Sequence, residues 1–417
     1  MLSKIKSIGK HSVSRNAAAL GVMQIANYAV PLLLLPFLTR QLGMEAFGVV
    51  AITLAAIQLA FVLTDYGFSL SATYSISTNR ENTDFVNQKI SAIFGAKALL
   101  VSLLAVALII ASQTVPSLQA YTTYIIAAFI AICAQAFQPI WLFQGIERMK
   151  NITLYTVLTK VLYAILVLQL IRSPEDAVTV IYCWSAAQVI GLLASLYFMY
   201  SAGYKVSWPS LQTVRHEFVD GAQFFWSRLA VAVYTSASTL VVGSQSAAQA
   251  AQFAVCEQIY KAGQNVTSPI NNAMFPYMAK NKDWKVFYKI LFIAGITMTT
   301  GCLVLAYYAT PLLSILFGEE YGTATPVLLI FLCTTIINYF GVTFGYSAFS
   351  ALGRVEIANI SVIVGAIIHA ATLYLIYTNV EITALTVALS ILITESIVMC
   401  IRIITLILIK RTTRQQP

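Results

Sequence analysis

The sequence predicts an all-α, polytopic membrane protein with twelve transmembrane helices. Of the 417 residues, 59% are hydrophobic and only 10% are charged, whereas soluble domains carry about 25% charged residues. Apolar stretches recur that are long enough to cross a hydrocarbon layer of about 30 Å, which takes about 20 helical residues. Basic residues occupy every second connection between these stretches. Water is therefore not the main solvent of this chain.

The twelve apolar segments define the predicted helices in order. Their approximate ranges are 17–39, 45–70, 86–111, 121–143, 152–171, 177–200, 219–243, 250–275, 286–310, 324–349, 357–378 and 382–409. The predicted organisation is a basic N-terminal arm over 1–16, a bundle over 17–200, a linker over 201–218, a bundle over 219–409 and a tail over 410–417.

Basic residues orient this array in the membrane. The N-terminus, alternate connections and the tail hold 18 of the 25 Lys and Arg residues, and the opposite connections hold only Arg40 and Arg172. Because Lys and Arg near helix ends stay in the cytoplasm, we expect both termini to be cytoplasmic. The net charge of +9 then reflects topology and attraction to anionic lipid, and not a nucleic-acid partner.

The second half of the chain repeats the first at an offset of about 206 residues. The segment from Phe143 to Arg148 corresponds to the segment from Phe349 to Arg354, each after the fourth helix of its half. Six helices per half is an even number, so the two halves run the same way through the membrane. We therefore expect two six-helix bundles related by a pseudo-two-fold axis along the membrane normal, around a central transport site.

Charged residues inside the predicted spans are the strongest site candidates, because a charge at bilayer depth is costly and marks a pathway or a partner. The acidic ones are Asp65, Glu257 and Glu395. The basic ones are Lys97, Lys160, Arg228, Lys261 and Arg402. The excess of basic over acidic residues favours an anionic cargo.

Spacing separates these candidates further. Glu257 and Lys261 are four residues apart on one helix face, a spacing that allows an ion pair. They either neutralise each other, or Glu257 binds a coupling cation and Lys261 binds a phosphate. Asp65 and Arg402 lie near a cytoplasmic helix end, where they could instead reach the headgroups. Lys97 and Lys160 have no acidic neighbour on their own helices, which favours a water-filled cavity lined by Lys97, Lys160, Arg228 and Lys261.

Uncharged residues add weaker candidates. Gln24 and Asn27 lie at helical spacing on the first span, where they line a sugar path or join helices. The sequence contains no catalytic triad, metal cluster or phosphate-binding glycine loop, and its loops are too short for a catalytic domain. No enzyme activity, catalytic residue, metal or cofactor is expected, and the candidate coupling ion is H⁺ or Na⁺.

Three segments of the first half carry a recognisable pattern. The first comprises Arg15-Asn16, Gln24, Asn27-Tyr28, Pro31-Leu32-Leu33, Pro36-Phe37-Leu38, Arg40, Leu42-Gly43 and Phe47-Gly48. The other two are Asp65–Thr73 and Trp141–Met149. Together they resemble bacterial O-antigen flippases, in the polysaccharide transporter branch of the multidrug/oligosaccharidyl-lipid/polysaccharide exporter superfamily. The resemblance is strong over 15–150 and diffuse beyond.

This resemblance implies a flippase that moves undecaprenyl-diphosphate-linked O-antigen units from the cytoplasmic to the periplasmic leaflet of the inner membrane, for lipopolysaccharide assembly. It implies inner-membrane lipid, an O-antigen polymerase and a chain-length regulator as partners. It assigns functional positions to Asp65, Lys261 and Glu395. The charges inside the predicted spans, and not the resemblance, make Asp65, Glu257 and Glu395 the candidates for cation coupling. The family's Gln-Gly-x-Glu motif is present as Gln144, Gly145 and Glu147, followed by Arg148, and is expected to shape a gate or turn.

Two alternatives remain at this point. A cation-coupled multidrug exporter of the same superfamily would share the fold, but a cationic drug favours acidic residues in the cavity. A membrane polysaccharide polymerase or glycosyltransferase would need an extended periplasmic loop with catalytic Arg or Asp residues. The sequence indicates neither the sugars nor whether the polymer is O-antigen, capsule or common antigen.

Overall fold

The computed structural model is all-α over the residues that it describes. These are the backbone of 2–415 and the side chains of 21–226, 228–229, 232 and 236–411. Within these ranges there is no β-strand, and nine helices are long and apolar enough to cross a membrane. The predicted all-α membrane class is confirmed, and each of the twelve predicted spans lies on mainly helical residues.

The chain divides into two compact units. The first comprises Met1–Leu42 and Thr53–Ala232, and the second comprises Gly43–Ile52 and Val233–Pro417. The long α1 and α9 each contribute residues to both units. Each unit is therefore more than a run of consecutive helices.

The first unit is built mainly from the N-terminal half of the chain. Its helices are α1 (Leu2–Asp65), α2 (Phe68–Asn79), α3 (Thr83–Thr114), α4 (Pro116–Gln119), α5 (Thr122–Ala136), α6 (Ile140–Gly145), α7 (Met149–Leu170), α8 (Ala177–Ser201) and α9 (Leu211–Gly243). Its core packs α2, α3 and α6 together through large side chains such as Phe68, Trp141 and Phe143, which are fully buried.

The second unit contains the remaining helices. They are α10 (Ala247–Asn281), α11 (Trp284–Tyr307), α12 (Ala309–Phe317), α13 (Thr325–Val342), α14 (Ala348–Ala351), α15 (Val355–Asn379) and α16 (Ala384–Gln415). Side-chain caps fix two helix starts: Ser246 accepts from the Gln249 amide at 3.3 Å, and Asp283 accepts from the Lys285 amide at 3.0 Å. Such caps satisfy amides that have no partner within the helix.

Several predicted boundaries differ from the structure, and two of the differences have a clear cause. The first two predicted spans merge into α1, which is interrupted at Gly43, where φ is 71° and ψ is 177°. Glycine adopts this conformation readily because it has no Cβ. Residues 211–218, predicted as linker, form the first two turns of α9. They are helical because Glu217 and Phe218 on these turns pack against partners elsewhere in the first unit.

The repeated segments adopt the same local turn. The Arg148 amide donates to the Phe143 carbonyl at 2.8 Å, and the Arg354 amide donates to the Phe349 carbonyl at 3.0 Å. The residue before each arginine is left-handed, with φ of 58° at Glu147 and 68° at Gly353. This is the pattern of a helix C-terminal cap. The next helix begins directly after each arginine.

Candidate functional site

The first unit contains a buried carboxylate that binds two cations. Asp65 Oδ1 lies 3.3 Å from Lys97 Nζ, and Oδ2 lies 3.1 Å from a guanidinium nitrogen of Arg228. Ser69 Oγ also donates to Oδ1 at 2.6 Å. The Asp65 and Lys97 side chains are 0% and 2% exposed, whereas that of Arg228 is 36% exposed. Only Arg228 of the two cations therefore remains accessible to a ligand.

The turn that follows Asp65 fixes this carboxylate. Tyr66 and Gly67 both have left-handed φ, of 48° and 80°. A Cβ on Gly67 would lie 2.7 Å from the Gly221 carbonyl oxygen, so glycine is required for this close approach to α9. The Tyr66 ring stacks on Phe225 with centroids 4.5 Å apart. The turn is thus fitted to one face of α9.

The same face of α9 carries Phe218, Gly221, Phe225 and Arg228, at successive spacings of about one helical turn. Nearer its start, Glu217 Oε1 lies 2.9 Å from Lys89 Nζ on α3. Burial raises the pKa of the Glu217 carboxyl, against the opposing effect of Lys89. Two ion pairs and a ring stack therefore hold the first half of α9 within the first unit.

Lys97 does not lie on an open cavity wall. It donates to Asp65 and, at 2.8 Å, to the Ala136 carbonyl. The expectation of an unpaired lysine is thus wrong for Lys97, because its acidic partner lies on α1 and helical spacing reveals only partners on the same helix. Its position favours a role in holding Asp65.

Lys160 is placed differently. Its Nζ lies 4.5 Å from the centre of the Trp184 ring, and among the described side chains no carboxylate lies within ion-pair distance of it. Lys160 and Asn27 line one cavity within the first unit. Gln24 is exposed and does not line that cavity. Asn27, a candidate for the sugar path, and Lys160, a candidate for diphosphate binding, thus line the same cavity.

The second unit holds the two remaining carboxylates near one tyrosine. Glu257 Oε2 lies 2.8 Å from Lys261 Nζ, with side-chain exposures of 11% and 39%. Tyr260 donates to Glu395 and accepts from Gln264 Nε2 at 2.8 Å. Glu257 and Lys261 therefore form the ion pair that their spacing of four residues allows, and Lys261 stays partly accessible.

Arg402 of the second unit binds a backbone carbonyl and a serine hydroxyl. Its guanidinium donates to the Gly341 carbonyl at 2.8 Å and to Ser361 Oγ at 2.7 Å. The Gly341 carbonyl would be the acceptor for residue 345 in a regular α-helix. The chain widens to a π-helix over Thr343–Ser347 at this position. Arg402, 4% exposed, thus stabilises an irregular helix and does not reach the headgroups.

The Gln-Gly-x-Glu motif forms a turn that packs α6 on α2. Gln144 Oε1 accepts from Thr73 Oγ1 at 3.3 Å. A Cβ on Gly145 would lie 2.6 Å from Ile76, so the two helices approach closely only because residue 145 is glycine. Glu147 pairs with Arg80 at 3.0 Å on the surface, and Arg148 closes the turn through its amide.

Sequence reasoning missed the carboxamides around Lys160, chiefly Gln135, Gln138 and Gln188, which line the same cavity. Carboxamides are common and carry no charge, so they do not stand out in an apolar segment. Their signal is the recurrence of glutamine in neighbouring spans, with Gln135 near the end of α5 and Gln138 three residues later, in the connection to α6.

The eight intramembrane charges are distributed unequally. The first unit contains Lys97, Lys160 and Arg228 against Asp65, and the second contains Lys261 and Arg402 against Glu257 and Glu395. The formal basic excess therefore belongs to the first unit.

Comparison with known proteins identifies the family. A family model described as "Polysaccharide biosynthesis protein" matches residues 13–282. Two curated relatives carry the name "Putative O-antigen transporter". The protein of Escherichia coli K12 is 28% identical over 77% of this chain and 79% of its own length. The protein of Shigella dysenteriae is 26% identical over 86% of this chain and 91% of its own length.

Solved structures share the fold. An inward-facing multidrug resistance MATE transporter of the MOP superfamily matches with a TM-score of 0.71 and 12% identity, over 96% of this chain and 100% of that one. The lipid II flippase MurJ, in an inward closed conformation, matches with a TM-score of 0.70 and 12% identity, over 94% of this chain and 87% of that one. The chain therefore belongs to the polysaccharide biosynthesis protein family, as a multi-pass membrane transporter with the MOP-superfamily fold and not an enzyme.

Proposed function

We propose that this protein is a flippase for undecaprenyl-diphosphate-linked O-antigen units. It moves them from the cytoplasmic to the periplasmic leaflet of the bacterial inner membrane, before their polymerisation for lipopolysaccharide. Both termini lie in the cytoplasm. The relatives named as O-antigen transporters support this cargo, as does the lipid II flippase among the proteins of the same fold. An O-antigen polymerase and a chain-length regulator are the proposed downstream partners.

The observation that carries the proposal is the basic excess within the membrane. Of the eight charges identified above, the first unit holds three cations and one carboxylate, Asp65. A diphosphate carries about two negative charges near neutral pH, and phosphate is commonly bound by Arg and Lys. The sign of the excess therefore suits an anionic lipid headgroup.

Side-chain exposure indicates which cations can bind the diphosphate. The side chains of Arg228 and Lys261 are 36% and 39% exposed, and each is oriented by one carboxylate. Lys97 holds Asp65 in place for Arg228 and stays buried. Each unit thus offers one accessible cation as a candidate for binding phosphate, Arg228 in the first unit and Lys261 in the second.

A cation gradient is the proposed energy source. Asp65, Glu257 and Glu395 are the candidate carriers of H⁺ or Na⁺. Glu257 is the strongest because its ion-pair partner Lys261 is 39% exposed and is itself a candidate for binding phosphate. Binding of a cation to Glu257 would release Lys261. If translocation persists unchanged after both gradients are dissipated, this coupling is refuted.

Binding of undecaprenyl diphosphate without sugars tests the headgroup assignment. Native mass spectrometry of the purified protein should detect preference for the diphosphate over undecaprenyl monophosphate. Lys261→Ala should weaken binding by about tenfold or more, and Lys261→Arg by less, because a charged hydrogen bond is worth about 1.5–3 kcal/mol. Unchanged binding by Lys261→Ala would remove Lys261 from the site.

The multidrug exporters of the same fold supply the competing function. A lipophilic cation added in the same experiment distinguishes it. Tight binding of the lipophilic cation, with no binding of the diphosphate, would favour the multidrug exporter function for this protein.

A further inference from the structure

A polar cavity lies entirely within the first unit, apart from the Asp65 site. Its volume is about 270 Å³, close to the lower end of the range of roughly 300–1,000 Å³ for small-molecule sites. Lys160 on its wall lies 11 residues into α7 and 10 residues from the other end, so the cavity is near mid-helix. Its size suits one sugar ring and not an oligosaccharide.

The wall of the cavity is rich in carboxamides. They belong to Asn27, Gln58, Gln135, Gln138 and Gln188. Each carboxamide offers both donors and an acceptor, and the hydroxyls of Thr156 and Thr159 add further groups of both kinds. No carboxylate lines the cavity among the described residues. This composition matches a ligand with several hydroxyl groups, and it does not suit a cationic drug.

Two groups on this wall are buried without a partner. Trp184 Nε1 and Gln135 Oε1 make no hydrogen bond within the described part of the chain. Buried polar groups are nearly always satisfied, so this donor and this acceptor leave unused hydrogen-bonding capacity beside the cavity. A hydroxyl group can satisfy either of them.

The other wall groups are held in fixed positions. Gln138 Nε2 donates to Gln188 Oε1 at 2.9 Å and to the Gln188 carbonyl at 3.2 Å. A side chain on Gly191 would overlap Thr159 Oγ1, so glycine is needed for α8 to approach α7 at this level. Lys160 is held above the Trp184 ring. The wall is therefore organised before a ligand arrives.

We propose that this cavity is a sugar subsite that binds one pyranose ring of the cargo. The ring hydroxyls bind the carboxamides and Trp184 Nε1, and Lys160 binds an acetamido carbonyl or a carboxylate on the ring. This inference rests on the proposed function, because it assigns the sugar portion of that cargo to the first unit. The subsite does not include Arg228 or Lys261, the cations proposed to bind phosphate.

Free sugars test the subsite without any lipid. Saturation-transfer NMR on the full chain in detergent would use glucose, galactose, N-acetylglucosamine and glucuronic acid at millimolar concentrations, with glycerol as the non-ring polyol. At least one pyranose should give a saturable signal that glycerol does not displace. No signal from any of the four would overturn the subsite.

Variants locate the binding. Trp184→Phe keeps the ring and removes the N–H donor, and Gln188→Leu removes one carboxamide. Each should weaken sugar binding by about fivefold or more, the equivalent of one hydrogen bond. Gln252→Leu, which removes a carboxamide of the second unit outside the cavity, is the matched control. Equal binding by Trp184→Phe, Gln188→Leu and the control would refute the location.

Lipid-linked cargo separates the two proposals. If the wild type translocates the cargo and the Trp184→Phe and Gln188→Leu variants do so at the same rate, the subsite is refuted and the flippase function stands. If sugars bind in the cavity but the wild type moves no lipid-linked glycan, the flippase function fails.

Discussion

The Asp65 carboxylate lies 3.1 Å from the Arg228 guanidinium, across a sequence separation of 163 residues. This contact connects the end of α1 to a point on α9 four residues before Ala232, where the first unit ends. The contact therefore joins two distant parts of the chain within the first unit.

Removal of the Asp65 charge should destabilise the fold strongly. Asp65→Asn leaves Lys97 as an uncompensated charge at 2% side-chain exposure, and loss of one partner of a buried pair costs about 3–5 kcal/mol. Thermal unfolding in detergent would measure it. The double variant Asp65→Asn/Lys97→Met should recover most of the loss, and equal instability of both variants would contradict the pairing.

Arg228 should affect transport more than stability. Arg228→Ala leaves Asp65 still paired with Lys97, so we expect a modest loss of thermal stability. If the guanidinium meets the diphosphate, translocation should fall by about tenfold or more, and Arg228→Lys should restore part of it. Arg215→Ala, at an exposed position of the same helix, is the control. Equal rates for Arg228→Ala and Arg215→Ala would exclude Arg228 from cargo binding.

The approach of Gly67 to α9 should not tolerate a side chain. Gly67→Ala adds a Cβ 2.7 Å from the Gly221 carbonyl oxygen at φ of 80°, and we expect a loss of about 2–5 kcal/mol from left-handed strain and overpacking together. Gly203→Ala has φ of 90° but nothing within 4 Å, so it should lose only the strain component. Unfolding temperatures of the two variants would measure the difference, which a purely conformational role of Gly67 would abolish.

Glu147 tests the repeated turn. Glu147→Gly relieves a left-handed residue, worth about 1–2 kcal/mol, and removes a surface pair with Arg80 worth about 0–1 kcal/mol. We therefore expect unchanged or slightly higher stability. Gly353→Glu at the corresponding turn should lower it, since glycine there has φ of 68°. The opposite order of the two unfolding temperatures would contradict the equivalence of the turns.

The sequence predicts features that depend on the length and pattern of apolar segments. It does not predict features that depend on contacts between residues far apart in the chain. Apolar length located the helices, and the match at Phe143 and Phe349 located two equivalent turns. The partner of Lys97 was invisible, because Asp65 lies 32 residues away on another helix. The early start of α9 depends on contacts of Glu217 and Phe218 with distant residues.

Leaflet translocation of a polyprenyl-diphosphate oligosaccharide in liposomes is the most direct test of the flippase function. The purified protein would be reconstituted with the glycolipid, under imposed proton or sodium gradients, and access of an external sugar-modifying enzyme would report the exposed leaflet. We predict protein-dependent translocation that is lost when Arg228 and Lys261 are both replaced by alanine. No translocation by the wild-type protein under either gradient, with export of a lipophilic cation in its place, would contradict the flippase function.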